Sequence, residues 1–169
     1  MKSRLNIILL FLFTRYAFCS SPDTSSIASN IVFIEAAGTG VYGSVNYERV
    51  FCSKGIYSLS ARCGISSYHV NDYTGKLNPD ILIPLMVQAC VGIDHKIEFG
   101  AGQTISSIVR TDADDAEPVR KTNFHTIFSV GYRYQKNTGG IFFRCTYTPM
   151  LEFNKRFRHW GGISIGYSF

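Results

Sequence analysis

From Asn123 to Gln135 the chain reads NFHTIFSVGYRYQ. Phe124, Thr126, Phe128, Val130, Tyr132 and Tyr134 fall on one parity; His125, Ile127, Ser129, Gly131, Arg133 and Gln135 fall on the other. A repeat of two is the repeat of a β-strand, whose successive side chains leave opposite faces of the backbone. It excludes a helix here and gives the strand one apolar face. The alternation recurs. Together with turn signals it marks eight strands, at Asn30–Gly38, Val41–Phe51, Gly55–Ser67, Ile81–Gly92, His95–Val109, Thr122–Gln135, Gly139–Met150 and Trp160–Phe169. No segment carries a helical period, so the expected fold class is all-β.

The connections narrow this further. After the second, fourth and sixth strands they are short: CSKG, IDHK and KNTG. After the third, fifth and seventh they are long and polar, spanning Tyr68–Asp80, Thr111–Lys121 and Leu151–His159. Only the first, GTG, breaks the order. Turns short at one end and loops long at the other mark an eight-stranded antiparallel up-and-down transmembrane β-barrel. An even strand count would put both termini on the short-turn, periplasmic side.

One face of every strand is apolar, as in any antiparallel sheet with a covered side. The other parity collects Glu35, Glu48, Arg62, Glu98, Arg133 and Arg144 among many Ser, Gly and Thr. Eight strands leave an interior just wide enough for side chains to fill. Carboxylates and guanidiniums in equal number are therefore expected to pair across a narrow lumen, where an unpaired charge would be costly. With the apolar face inward instead, the same six would be a solvated surface. On the apolar parity Tyr47, Phe51, Tyr57, Tyr132, Tyr134, Tyr167 and Phe169 gather near the short-turn ends, as a girdle at a membrane interface would. Phe124 and Tyr147 are candidates for a thinner girdle opposite. Arg49 shares this face near the short-turn end, from which it could snorkel to headgroups.

The last strand, WGGISIGYSF, ends in phenylalanine. A barrel must close, so its final strand must pair with its first. Ile163, Ile165, Tyr167 and Phe169 also resemble the signal that outer-membrane assembly machinery reads: alternating apolar residues finishing in an aromatic.

At the other end, Lys2 and Arg4 precede an apolar run from Leu5 to Phe13 that is shorter than the roughly 20 residues a spanning helix needs. Residues 1–21 are read as a cleaved export signal and 22–169 as the barrel domain. Acylation at Cys19 is the alternative, against which the bulky Phe18 argues. Of the net charge of +5, part comes from Lys2, Arg4 and Arg15; the rest is dispersed, with no basic run and no nucleic-acid footprint. Cys19, Cys52, Cys63, Cys90 and Cys145 form no C-x-x-C pair, so a zinc or redox motif is not indicated, and they are read first as small apolar residues.

In the order SVNYERVF, HKIEFGAGQT, GYRYQKNTGGIFFRCTYTPM and GGISIGYSF, the chain resembles the small eight-stranded outer-membrane β-barrel proteins of the Bacteroidetes type, similar in architecture to the OmpA/OmpX barrels. The resemblance implies a fold and a place in the cell outer membrane, and supplies no catalytic motif. Cysteine within the strands departs from the family habit.

The residues bear differently on three functions. A structural or surface-interaction protein would work through its loops and be monomeric. Its partners would be outer-membrane lipids, lipopolysaccharide and the assembly machinery. The acidic DADDAE lacks the Gly-punctuated spacing of a calcium loop, so neither metal nor cofactor is expected. The basic, aromatic NKRFRH could meet anionic lipopolysaccharide. A lipid-modifying enzyme would need a nucleophile, base and acid within reach. His125 and Ser129 share a face but stand about 13 Å apart at roughly 3.3 Å per residue, so no catalysis is expected. A pore is disfavoured because eight strands leave no open channel. The competing fold is a soluble exported lipocalin-like barrel with a lipophilic ligand. It would need its apolar face inward and an early Gly-x-Trp, but the only Trp is Trp160.

Overall fold

The computed structural model describes residues 28–67, 69–71, 75–111, 118–151 and 157–169. The expected export signal with Cys19, the DADDAE stretch and the first half of NKRFRH lie outside them. The described chain runs β1 (Asn30–Ala37), a 3₁₀ turn (Gly38–Gly40), β2 (Gly43–Lys54), β3 (Tyr57–Ile65), β4 (Ile81–Gly92), β5 (His95–Thr111) and β6 (Pro118–Gln135). It continues through β7 (Gly140–Tyr147), the two-residue β8 (Met150–Leu151) and β9 (Phe157–Arg158), and β10 (Gly161–Ser168).

Hydrogen bonding runs β5-β4-β3-β2-β1-β10-β7-β6, and β6 pairs back to β5. These eight strands therefore close into an all-antiparallel barrel, each lying beside its sequence neighbours. Short β8 and β9 pair with each other beside β6. The seam is β1 against β10, in register from Ile31↔Ser168 to Ala37↔Gly162. It is locked at its end by Asn30 N to Phe169 O at 2.9 Å and Phe169 N to Asn30 O at 2.8 Å. The terminal phenylalanine is thus held in the sheet, and closure leaves the ring without an edge.

Three local departures from simple alternation matter. β5 and β6 run further than expected, to the Thr111↔Pro118 pair, so Thr111 and Pro118–Lys121 of the anticipated Thr111–Lys121 loop are paired strand. β7 stops at Tyr147, not Met150, because Pro149 has no N–H to give the ladder. In β2 the register slips between Val50 and Cys52 against β3, a bulge that sets Cys52 opposite outward Leu59. Cys63, Cys90 and Cys145 are free thiols and Cys52 is disulfide-bonded, so for Cys52 the plain apolar reading is corrected.

The GTG connection is more than a tight turn. Gly38, Thr39 and Gly40 are buried, folded into the barrel mouth. Flanking Ala37 and Val41 take φ of 59° and 69°, a region that residues with a Cβ rarely enter. Gly38 sits against the Glu35 carboxylate, where an added Cβ would collide with it. Several bonds hold the turn: Thr104 Oγ1 to Thr39 O at 3.1 Å, Trp160 Nε1 to Val41 O at 3.2 Å, and Ser66 Oγ to Gly40 O at 2.8 Å.

Candidate functional site

The lumen is the most elaborated part of the molecule. Period two carries Glu35 on β1, Glu48 on β2, Arg62 on β3, Glu98 on β5, Arg133 on β6 and Arg144 on β7 inward, and all six are buried. They meet. Arg133 reaches Glu48 and Glu98, each at 2.6 Å. Arg62 lies 3.3 Å from Glu35. Arg144 touches all three carboxylates: Glu35 at 3.2 Å, Glu48 at 3.5 Å and Glu98 at 3.6 Å. It is the hub, and the other two arginines each extend the lattice to one side.

Neutral side chains from the remaining strands complete the lattice. Gln88 on β4 gives its Nε2 proton to Glu98 at 2.8 Å and accepts from Arg133 at 2.9 Å. Ser164 on β10 accepts from Arg144 at 3.2 Å. Ser60 donates to Glu48 at 2.6 Å. The lattice therefore draws on all eight barrel strands. Above it, the inward turn supplies Thr39, whose N–H and hydroxyl both donate to Glu35, at 3.1 and 2.8 Å, and whose hydroxyl oxygen accepts from Arg62. Below it, Phe33 and Phe142 pack with centroids 5.2 Å apart, beside Ile31. Arg144 lies over Phe33 at 4.5 Å and Arg133 over Phe142 at 5.3 Å, close enough for cation–π attraction. The lumen is closed by a polar cap at one level and an aromatic floor at another.

Sequence reasoning missed Thr39, Gln88, Phe33 and Phe142. For three of them the signal was present: Phe33 shares Glu35's parity, Phe142 shares Arg144's, and Gln88 shares that of Met86. The inward turn of Thr39 has no such signature. His125 and Ser129 are not brought together. His125 Nε2 lies 2.9 Å from Ser106 Oγ, not from Ser129, and among the described residues no carboxylate pairs with His125. Among the described residues, too, no group of three or more His, Cys, Asp or Glu is placed to hold a metal ion.

The outer wall inverts this chemistry. Ile34, Val45, Leu59, Leu85, Phe99, Phe128, Ile141, Ile163 and Ile165 all stand exposed. So do Tyr47, Phe51, Tyr57, Tyr132, Tyr167 and Phe169 of the expected girdle, and Phe124 and Tyr147 of the thinner one. Polar tips of these aromatics find partners: Tyr47 donates to Asn30 Oδ1 at 2.7 Å, and Tyr132 bonds His95 Nδ1 at 2.6 Å. Tyr147 does the same with His159. A lipocalin-like barrel needs the reverse, apolar inside and polar outside.

No family model and no curated protein matches the chain. Among solved structures it is similar to the N-terminal β-barrel domain of Pseudomonas aeruginosa OprF, with a TM-score of 0.56 and 14% identity, over 83% of this chain and 96% of that one. At that identity the likeness shows the fold: a closed, eight-stranded, all-antiparallel β-barrel of the kind formed by the OprF N-terminal domain.

Proposed function

We propose that this chain is an integral outer-membrane β-barrel protein with a side-chain-filled lumen, acting as a structural or surface-interaction element and catalysing no reaction. The observation that carries the reading is the inversion of the two walls. Every barrel strand turns apolar side chains outward, while the inside is a continuous ion-paired lattice. In water such an outer wall would be one large apolar patch, of a size that soluble monomers rarely expose. Against lipid it is the expected surface, and the closed ring satisfies its backbone groups internally. The fold likeness to the OprF barrel supports the same reading.

Lattice, cap and floor together favour a plug over a pore, so no steady conductance is expected. The end of the barrel where β5 and β6 extend to Thr111 and Pro118 would be the surface offered to partners such as lipopolysaccharide. Both termini would then lie in the periplasm, behind an export signal. Ile163, Ile165, Tyr167 and Phe169 would be read by the assembly machinery; their outward, accessible side chains support that role. Any tie to Bacteroidetes rests on the sequence resemblance.

Cell fractionation of an epitope-tagged chain, followed by gel electrophoresis with and without boiling, tests the reading. An outer-membrane protein whose mobility shifts on heating is expected. A soluble periplasmic protein with no shift would overturn it.

A further inference from the structure

On the outer wall Arg49 stands without a counter-charge among the described residues. Arg49 is exposed on β2, on the outward parity of Val45 and Tyr47, and among the described residues it makes no ion pair or side-chain hydrogen bond. The three lumen arginines, by contrast, all hold carboxylates. Arg49 lies opposite Asn30, the first residue of β1, and opposite Ala61 on β3. Beside it the wall is hollowed. Across the strands Arg49 is followed by Ala61, Val87 and Ala101, and Tyr47 by Cys63 and Leu85, so Ala61, Cys63 and Ala101 offer small side chains beside larger Tyr47, Leu85 and Val87. The result is an open groove of about 450 Å³ crossing β2 to β5, with Tyr47 and Arg49 along one side.

The two features fit one kind of molecule. A hydrocarbon chain suits a trough floored by alanine and a thiol. A guanidinium at its side wants an anion, and phosphate matches its planar, bidentate donor fork. Facing a membrane, an unpaired guanidinium is costly until it finds such a partner. We propose that the groove is a phospholipid-binding site, in which Arg49 holds the headgroup phosphate and one acyl chain lies over Ala61, Cys63 and Ala101. The proposal rests on the membrane reading above. It differs from general solvation by lipid in naming one place on the wall where a phospholipid is retained.

The full chain in detergent is mixed with phosphatidylglycerol or with diacylglycerol, which lacks the phosphate, and retained lipid is read by native mass spectrometry. Wild-type protein is expected to keep a single phosphatidylglycerol and to lose diacylglycerol. Arg49→Gln removes the charge and should lower retention about tenfold, the loss of one charge-assisted contact; Ala101→Leu fills the trough and should lower retention by excluding the acyl chain. Both variants are first checked for an unchanged heat-dependent gel shift, so that a lost barrel is not mistaken for a lost site. Equal retention of the two lipids, or retention unaffected by both substitutions, would overturn the proposal. So would a lipid-free dimer, which assigns the groove to a second copy. A protein that fractionates as soluble yet keeps phosphatidylglycerol through Arg49 would break the membrane reading and leave the site standing.

Discussion

On β7, Phe143 and Arg144 are neighbours in sequence and belong to opposite surroundings. Phe143 faces outward between Tyr134 of β6 and Ile165 of β10. Arg144 is fully buried and touches three carboxylates. The comparison extends to the whole of each wall. Outer contacts are apolar and nonspecific, so one aliphatic can replace another. Inner contacts are charged, directional and shared, so no member can leave without stranding others. One wall is tuned by composition, the other by geometry.

The largest effect should come from the hub. Arg144→Ala leaves three buried carboxylates facing two arginines, and removing one partner of a buried ionic set costs about 3–5 kcal/mol. Urea titration of the heat-shifted gel species, in lipid vesicles, would read this as a sharply lower midpoint or as failure to fold. The matching test of the outer wall is Ile165→Arg, set between Ile34 and Phe143. In lipid it should cost about 2–4 kcal/mol, while Ile165→Leu should cost less than about 1.5 kcal/mol. If Ile165→Arg is neutral, the outer wall faces water and the comparison collapses.

Smaller effects sharpen the inner side. At Gly102 an added Cβ would meet the Leu85 carbonyl and the Met86 Cα at once, backbone atoms that cannot swing away. Gly102→Ala should therefore lower stability by about 1–3 kcal/mol in the same titration, an overpacking cost. Thr39→Val keeps the shape of the inward turn but loses the hydroxyl shared by Glu35 and Arg62. It should cost about 1.5–3 kcal/mol. Planar-bilayer recordings would add a second reading: a loosened cap raises the frequency of brief openings above wild type, and an unchanged record would put the seal lower, at the Phe33–Phe142 floor.

How far the sequence announces all this depends on the kind of information needed. Parity alone places Glu35, Arg133 and Ile165 on their faces, because a strand's period of two is set by its backbone. Equal numbers of Glu and Arg among small residues point to pairing. Parity does not give height along the barrel, which depends on strand tilt and stagger. That Arg144 meets all three carboxylates, while Arg62 pairs with Glu35, could not be read. A bulge is equally silent: after Val50 the parity of β2 resets, and Cys52 joins the row of Leu59. The GTG segment is silent for another reason. A three-residue link normally signals a tight turn at the surface. Here the left-handed backbone at Ala37 and Val41 drives it inward, and the lattice it joins is built from residues distant in sequence.

The two outward thiols give the most direct test of the central claim, that the apolar wall faces lipid. Cys145 stands exposed on β7, opposite Tyr132 and Ile163. With Cys63 replaced by alanine, a nitroxide on Cys145 in reconstituted vesicles reports its surroundings through collisions with oxygen, which concentrates in hydrocarbon, and with a polar nickel chelate, which stays in water. High oxygen and low chelate accessibility is the expected result. A label relaxed mainly by the chelate would place Cys145 in water and contradict the claim.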